Sequence, residues 1–228
     1  LGGSVSNTGT AALISGRDYC VWINYAAGTI THNGVISGTG TAGVGVAFDR
    51  HQGTLLNGFA NTLTNSGTII GNSGTSVQFG SGDDLLVIDG GAVFTGVVDG
   101  GGGTNIVNFG AGAGTVANLG GTGSNYVNFT PGMILGGGNW TFAGNTTIAS
   151  GTTFTNAGTF DVSGALTNSG SVAGGVNLSG TASLDNLATG RISLTDIAVN
   201  SRSSGSIFNA GTITASAASA VGMSGGGS

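Results

Sequence analysis

Apolar residues along this chain occur in short runs in which they alternate with polar ones. The runs are rich in Val, Ile, Phe and Thr, as in residues 76–79, 93–95 and 107–109, and Gly, Asn or Asp flanks them. A period of two between such turn-forming residues predicts short β-strands joined by tight turns. Because so short a strand cannot bury its apolar face alone, we expect many of them to pack on one another.

Two phrases repeat along the chain. The pattern Gly-Gly-x-Gly-x-Asn-x-Val occupies residues 100–107 and 120–127, and a variant of it occupies residues 79–86. Its key polar position recurs with a nearly constant step, at Asp84, Asn105, Asn125 and Asn145. A second phrase, Asn-x-Gly followed by Thr or Ser and an apolar residue, begins at Asn65, Asn156, Asn168 and Asn209. Both phrases have the composition of turns.

A period near twenty predicts a solenoid whose coils stack and bury equivalent apolar residues in one core. We therefore predict an all-β fold, a right-handed parallel β-helix with about 20–21 residues per coil and roughly 11 coils. A single solenoid is expected over residues 1–215, with decorated, irregular coils in 1–60 and regular coils in 61–215. Residues 216–228 lose the apolar period and are predicted to be a Ser/Gly-rich linker or a frayed end.

Composition supports this fold and excludes others. Gly contributes 49 of the 228 residues, about three times its usual share of ~7%, and the chain has no Lys or Glu. Because Gly costs ~1 kcal/mol in a helix interior and strong helix formers are missing, a helical protein is excluded. One Pro and the lack of a strict Gly-x-y period exclude collagen.

The charges limit the classes of partner. The formal net charge is −5 and the four basic residues are scattered Arg, whereas a nucleic-acid binder needs clustered cations to displace phosphate counterions. No stretch approaches the ~18 apolar residues of a spanning helix, and the start of the sequence lacks a signal-peptide pattern. We expect no nucleic-acid partner, no cofactor and no direct membrane insertion of this segment.

Two segments resemble the passenger region of bacterial autotransporters, the type V secretion proteins. Residues 63–71 (Leu-Thr-Asn-Ser-Gly-Thr-Ile-Ile-Gly) and 80–87 (Gly-Ser-Gly-Asp-Asp-Leu-Leu-Val) are similar to phrases that this family repeats. Residues 136–180, which include Trp-Thr-Phe-Ala-Gly-Asn from position 140, are similar to the autotransporter-associated strand repeat. The resemblance extends over residues 5–215 and implies a right-handed β-helical passenger domain, secreted to the bacterial surface and held at the outer membrane by a C-terminal barrel that this sequence lacks.

The resemblance implies a non-catalytic adhesin or surface spacer whose partner is a host or cell-surface receptor or a glycan. An alternative is a subunit of an extracellular filament or surface layer formed by head-to-tail self-association, because an open solenoid end exposes unpaired strand edges. The weakest alternative is a polysaccharide-cleaving enzyme that uses Asp83 and Asp84 with His51 and Arg191, since paired carboxylates can act as acid and base. Both His residues precede these carboxylates in the chain, the reverse of the order in the polygalacturonase-like family.

One acidic cluster suggests a metal site. Gly-Gly-x-Gly-x-Asp repeats bind calcium when they recur every nine residues, so the candidate ligands are Asp83, Asp84, Asp89 and Asp99. Here the step is more than twice as long, and the next two key positions are the neutral Asn105 and Asn125. Because carboxylates supply most of the affinity for calcium, we favour capped turns and predict no metal.

Rare residue types are concentrated in the first quarter of the chain. We predict a binding surface there, formed by Arg17, Tyr19, Trp22, Tyr25, Asp49 and Arg50. The alternative is an irregular coil in which Asp49 and Arg50 form a weak surface pair. Cys20 and Trp140 are predicted to be packed residues, rather than a reactive thiol and a ligand-stacking ring.

Overall fold

The computed structural model describes residues 2–48, 50–51, 54–55, 58–120 and 123–224. These residues form β-strands and turns and contain no helix. It follows that the described part of the chain has no helix long and apolar enough to cross a membrane. The predicted all-β class is confirmed.

Short strands follow one another throughout the described residues, as the alternating pattern predicted. The 29 strands are β1 (Gly3–Asn7), β2 (Leu13–Gly16), β3 (Tyr19–Ile23), β4 (Gly28–His32), β5 (Val35–Gly38), β6 (Val44–Phe48), β7 (Arg50–His51), β8 (Thr54–Leu55), β9 (Thr62–Asn65), β10 (Thr68–Gln78), β11 (Leu85–Ile88), β12 (Val93–Asp99), β13 (Ile106–Phe109), β14 (Gly112–Val116), β15 (Tyr126–Val127), β16 (Thr130–Ile134), β17 (Gly138–Phe142), β18 (Asn145–Ile148), β19 (Thr153–Asn156), β20 (Thr159–Val162), β21 (Ala165–Asn168), β22 (Ser171–Ala173), β23 (Val176–Gly180), β24 (Ser183–Asn186), β25 (Arg191–Leu194), β26 (Val199–Ser203), β27 (Ile207–Asn209), β28 (Thr212–Ala215) and β29 (Val221–Met223).

The chain divides into two compact units. Unit 1 consists of Leu1–Asn108 and Asn125–Thr130, and unit 2 consists of Phe109–Ser124 and Pro131–Ser228. The predicted boundary at residue 60 and the prediction of one solenoid over residues 1–215 stay predictions.

Unit 1 is built from parallel ladders. One ladder has the order β1-β4-β9-β11-β13 and a second has the order β2-β5-β10-β12-β15, while β3 and β6 extend the second through β10. The hairpin β7–β8 is antiparallel. Each coil therefore contributes one strand to each ladder, which is the arrangement of a parallel solenoid.

Unit 2 has three parallel ladders. Their orders are β16-β19-β22-β25-β28, β14-β17-β20-β23-β26-β29 and β18-β21-β24-β27. A full coil of unit 2 thus has three strands, one on each face, with turns at the corners.

The number of coils differs from the prediction. The fold is a parallel β-solenoid of about nine turns, compared with the roughly 11 expected. The reason is that some coils are longer than the repeat suggested. This is seen from the pairing of Gly3 with Gly28 and of Thr29 with Thr62. Both of these pairs are further apart in the chain than Asp84 and Asn105.

Aromatic rings in mutual contact fill the core of each unit. In unit 1, the ring of Phe79 lies 4.9 Å from Phe48 and 5.7 Å from Phe129 between centroids. In unit 2, Phe142 lies 4.8 Å from Phe160 and 5.0 Å from Phe109. Equivalent positions of successive coils thus bury a continuous apolar stack in each unit, as the solenoid hypothesis requires.

The Asn-x-Gly phrase forms corners between strands. β9 ends at Asn65, whose Oδ1 accepts a hydrogen bond from the N–H of Gly67, and β10 begins at Thr68. The φ of Gly67 is not positive, but a Cβ there would overlap the carbonyl oxygen of Gly34. This corner needs Gly because the backbone of a neighbouring coil passes very close to it.

The predicted constant step fails after Asn105. In unit 1, the carbonyl of Asn125 accepts a hydrogen bond from the N–H of Val98, so this residue lies beside β12 and does not stack on Asn105. In unit 2, the N–H of Asn145 donates to Oδ1 of Asn118. The sequence match at residues 120–127 therefore occupies a different place in the coil from the match at 100–107.

The segment predicted as a linker or frayed end, residues 216–228, contains β29. Its residues Val221 and Met223 pair in parallel with Val199 and Ser201 of β26. The ladder therefore continues into this segment even though its apolar period is weak.

Candidate binding surfaces

The candidate calcium ligand Asp84 is a buried turn cap in unit 1. Its Oδ1 accepts hydrogen bonds from the N–H of Asn61 at 2.7 Å and from Nδ2 of Asn61 at 3.0 Å. Asn61 in turn accepts from the N–H of Gly28 at 2.8 Å, and Asn105 accepts from the N–H of Asp84 at 2.9 Å. We call Asn61, Asp84 and Asn105 the capping ladder, because each side chain caps the backbone of the preceding coil.

The other three acidic candidates lie at separate turns. Oδ1 of the exposed Asp83 accepts from the N–H of Thr104 at 2.7 Å, and Oδ1 of Asp99 accepts from the N–H of Gly101 at 2.8 Å. Asp89 is half-buried at the end of β11. Across the described ranges, no three His, Cys, Asp or Glu side chains are grouped so that they could hold a metal ion.

The structure brings together two of the residues predicted to form a binding surface. The rings of Tyr19 and Trp22, both on β3, are stacked with centroids 5.8 Å apart and an interplanar angle of 29°. Trp22 is 47% exposed, and β3 pairs with β6 so that Trp22 is opposite Ala47. We call Tyr19 and Trp22 the aromatic pair.

The remaining predicted residues are partly described. Arg17 is exposed in the turn between β2 and β3, and its carbonyl accepts from the N–H of Gly40 at 2.8 Å. Tyr25 is 64% exposed just after β3 and has a positive φ of 60°. Asp49 lies outside the described residues, and Arg50 is described only as part of the backbone of β7.

Cys20 is a half-buried residue whose thiol points at the backbone. Its Sγ donates to the carbonyl of Ser37 at 2.7 Å. Burial raises the pKa of the Cys20 thiol, which opposes formation of the reactive thiolate. Trp140 is 2% exposed, and its Nε1 donates to the carbonyl of Gly110 at 2.9 Å, so its predicted packing is confirmed.

His32 occupies a buried position between two coils of unit 1. Its Nδ1 lies 3.2 Å from Nδ2 of Asn7, and its Nε2 lies 3.2 Å from the carbonyl of Thr68. Because the amide nitrogen can only donate and the carbonyl can only accept, the ring is neutral with its proton on Nε2. Burial lowers the pKa of His32, in agreement with this assignment.

A polar groove on unit 2 was not predicted from the sequence. It has a volume of about 270 Å³ and its lining residues are Thr141, Asp161, Asn177, Leu178, Ser179, Asn200 and Arg202. Four of them form one column across β17, β20, β23 and β26, because Thr141 pairs with Asp161, Asp161 with Asn177, and Asn177 with Asn200. No sequence signal marked these residues, since they share neither a motif nor a constant spacing.

No protein-family model matches this chain, and no curated protein and no solved structure matches it. The parallel β-solenoid is therefore established by the structure, whereas membership of the autotransporter family is a proposal.

Proposed function

We propose that this chain is a non-catalytic, secreted β-solenoid of the autotransporter passenger type, which acts as an adhesin or spacer at a bacterial surface. The observation that carries the proposal is the aromatic pair, an exposed Trp22 stacked on a half-buried Tyr19, on a stack of parallel coils. Tyr and Trp are enriched where protein surfaces bind partners, because they bury much area for little conformational entropy. The coils hold this pair on paired backbone, so little order has to be gained on binding.

The proposed partner is a host or cell-surface receptor or a glycan. Arg17 and Tyr25 flank β3 and are exposed, so they extend the chemistry around the aromatic pair with a cation and a further ring. Asp83, Asp84 and Asp99 are turn caps in the proposal, with no role in catalysis. The exposed strand positions of the described residues carry mainly small polar groups, which suits a surface domain in contact with water.

The adhesin role is tested by displaying the chain on non-adherent bacteria through an outer-membrane barrel. Displaying cells are expected to bind host-cell monolayers above the level of cells that display the barrel alone. The double variant Tyr19→Ala/Trp22→Ala should return adhesion to that level, while Val93→Ala, which removes an exposed apolar side chain of the same unit, should leave it unchanged. Adhesion that survives the double variant would exclude the aromatic pair as the contact.

One observation favours the second candidate function, a subunit of a filament or surface layer. In unit 2, Ile207 and Ile213 are half-buried, whereas their partners on the preceding coil, Leu184 and Ile192, are fully buried. Within the described residues β28 pairs with β25 alone. A coil supplied by a second copy of the chain would cover these side chains and pair this strand edge.

Electron microscopy and sedimentation of the purified chain distinguish the two functions. Filaments that disappear in Phe208→Asp, which places a charge at a 58% exposed ring on β27, would support assembly. A single species of 21.8 kDa over a wide concentration range would leave the adhesin or spacer role as the better description.

A further inference from the structure

The polar groove of unit 2 has the chemistry of a ligand site. Its column of Thr141, Asp161, Asn177 and Asn200 offers a hydroxyl, a carboxylate and two amides on four neighbouring strands. Arg202 follows Asn200 on the same strand, β26, and is exposed. Hydrogen-bond donors, acceptors and charges of both signs are thus concentrated on one outer face.

The hydrogen bonding inside the groove leaves polar atoms for a ligand. Nδ2 of Asn177 donates to Oδ1 of Asp161 at 2.9 Å, which holds the two side chains side by side. Within the described residues, Oδ2 of Asp161, the amide of Asn200 and the guanidinium of Arg202 have no hydrogen-bond partner. These groups need water or a ligand to satisfy them.

We propose that this groove binds an acidic sugar residue of an oligosaccharide. The guanidinium of Arg202 would hold the sugar carboxylate through two parallel hydrogen bonds, the geometry that Arg favours. Sugar hydroxyls would donate to Asp161 and accept from the amide of Asn200. Neighbouring strands are ~4.8 Å apart, so one pyranose ring spans about one step between coils.

Other ligand classes fit the groove less well. A nucleic-acid backbone needs several clustered cations, and Arg202 is the one cation among the residues that line the groove. An apolar ligand would have to displace water from a lining that is mostly hydroxyl, amide and charged groups. A neutral sugar would leave the guanidinium of Arg202 without an anionic partner.

This inference deepens the proposed adhesin role and rests on it, because a surface protein meets acidic glycans on other cells. The two proposals fail separately. Groove binding is measured on the purified chain in solution, whereas adhesion is measured on cells that display it. Loss of groove binding with adhesion retained would remove only the groove proposal. Loss of adhesion with groove binding retained would remove only the adhesin proposal.

The test is titration calorimetry of the full chain with two acidic probes, trigalacturonate and sialyllactose, and two neutral ones, maltotriose and lactose. We expect at least one acidic probe to bind, and its affinity to fall as salt rises. Arg202→Ala should weaken that binding at least about tenfold, and Arg202→Lys should weaken it less, since lysine keeps the charge but not the paired geometry.

Unit 2 supplies matched controls. Arg191→Ala removes an exposed arginine on β25 and is the control for Arg202→Ala. Asp185→Ala removes an exposed aspartate on β24 and is the control for Asp161→Ala. Neither control residue lines the groove. Both should bind like the parent, while Asp161→Ala should bind more weakly, and circular dichroism should show that all of the variants are folded. The assignment would be overturned if the neutral probes bound as tightly as the acidic ones, if Arg202→Ala bound the acidic probe as tightly as the parent, or if no probe bound.

Discussion

Polar side chains join successive coils in both units, but the two units use different ladders of hydrogen bonds. In unit 1, the capping ladder of Asn61, Asp84 and Asn105 joins side-chain oxygens to backbone N–H groups of the preceding coil. In unit 2, Nδ2 of Asn168 donates to Oδ1 of Asn186 at 2.8 Å, and Nδ2 of Asn186 donates to Oδ1 of Asn209 at 2.7 Å. We call Asn168, Asn186 and Asn209 the amide ladder.

The difference explains where Asp can replace Asn. A cap in unit 1 needs an oxygen that accepts, and a carboxylate supplies it, so Asp84 fits. A residue in the middle of the amide ladder must accept from one neighbour and donate to the other, which an ionised carboxylate cannot do. Asp can therefore replace Asn only where the side chain acts as an acceptor alone, as Asp84 does toward the N–H and Nδ2 of Asn61.

The units also differ in regularity. In unit 1, a much longer stretch of chain separates Thr29 from its partner Thr62 than separates Arg191 from its partner Thr212 in unit 2. The aromatic pair lies in the less regular unit, and the polar groove lies in the more regular one. Regular stacking alone can thus assemble a candidate site, with no inserted loop.

The largest effect is expected from the aromatic cores. Phe142 is fully buried in unit 2 and contacts three other rings, so Phe142→Ala should lower the free energy of unfolding by about 3–5 kcal/mol. Phe79→Ala in unit 1 should cost a similar amount, and Phe208→Ala, at an exposed ring, less than ~0.5 kcal/mol. Urea unfolding measures the totals, and hydrogen exchange shows whether each loss is confined to its own unit.

The next largest effect is expected from the capping ladder and the amide ladder, which are the feature in which the two units differ. Asn186→Ala should cost about 2–3 kcal/mol, because it removes the partner of the Asn168 amide and of Oδ1 of Asn209. Asn186→Asp should be destabilising as well, whereas Asp84→Asn should change stability by less than ~1 kcal/mol, since it keeps the accepting oxygen. A large loss in Asp84→Asn, or stabilisation of the parent by added calcium, would show that the carboxylate has a role beyond capping.

Substitutions of corner glycines should show that, in both units, the backbone of a neighbouring coil passes close to the corner. A Cβ on Gly67 in unit 1, or on Gly211 in unit 2, would overlap a carbonyl oxygen of a neighbouring coil. Each change to Ala should cost about 1–3 kcal/mol. Gly136→Ala is the control, because its Cβ would meet no atom within 4 Å, and its thermal unfolding should match that of the parent.

The smallest effect is a difference in acid sensitivity. The folded state prefers neutral His32, so the unfolded chain binds more protons below the ordinary histidine pKa of ~6.5. Unit 1 should therefore keep its full stability above about pH 6.5 and lose part of it as the pH falls, while unit 2, which has no histidine, should not respond in this range.

The matched control for this prediction is His32→Asn, which places a non-titrating amide between Asn7 and Asn65, the two residues that pair with His32. Hydrogen exchange of unit 1 at neutral and mildly acidic pH should become equal in this variant. If the parent and His32→Asn respond to acid alike, another group is responsible for the sensitivity.

The sequence predicted the strands, the parallel stacking and the Asn-x-Gly corners, because these depend on local turn chemistry and on alternation along the chain. It overestimated the number of coils, because the coil that runs from Thr29 to its partner Thr62 is longer than the step of the repeated phrases. It also misplaced Asn125, since a short Gly-rich phrase does not specify which corner of a coil it occupies.

The sequence by itself determined that the chain would be a β-solenoid with an apolar interior, because a few residues per strand can bury a face only by stacking. Only the tertiary structure decided which side chains meet. Asp161, Asn177 and Asn200 come from three strands at unequal separations along the chain, and register alone places them in one column. Unequal coil lengths hide that register from any search for a constant period, so the groove became visible only when the coils were stacked.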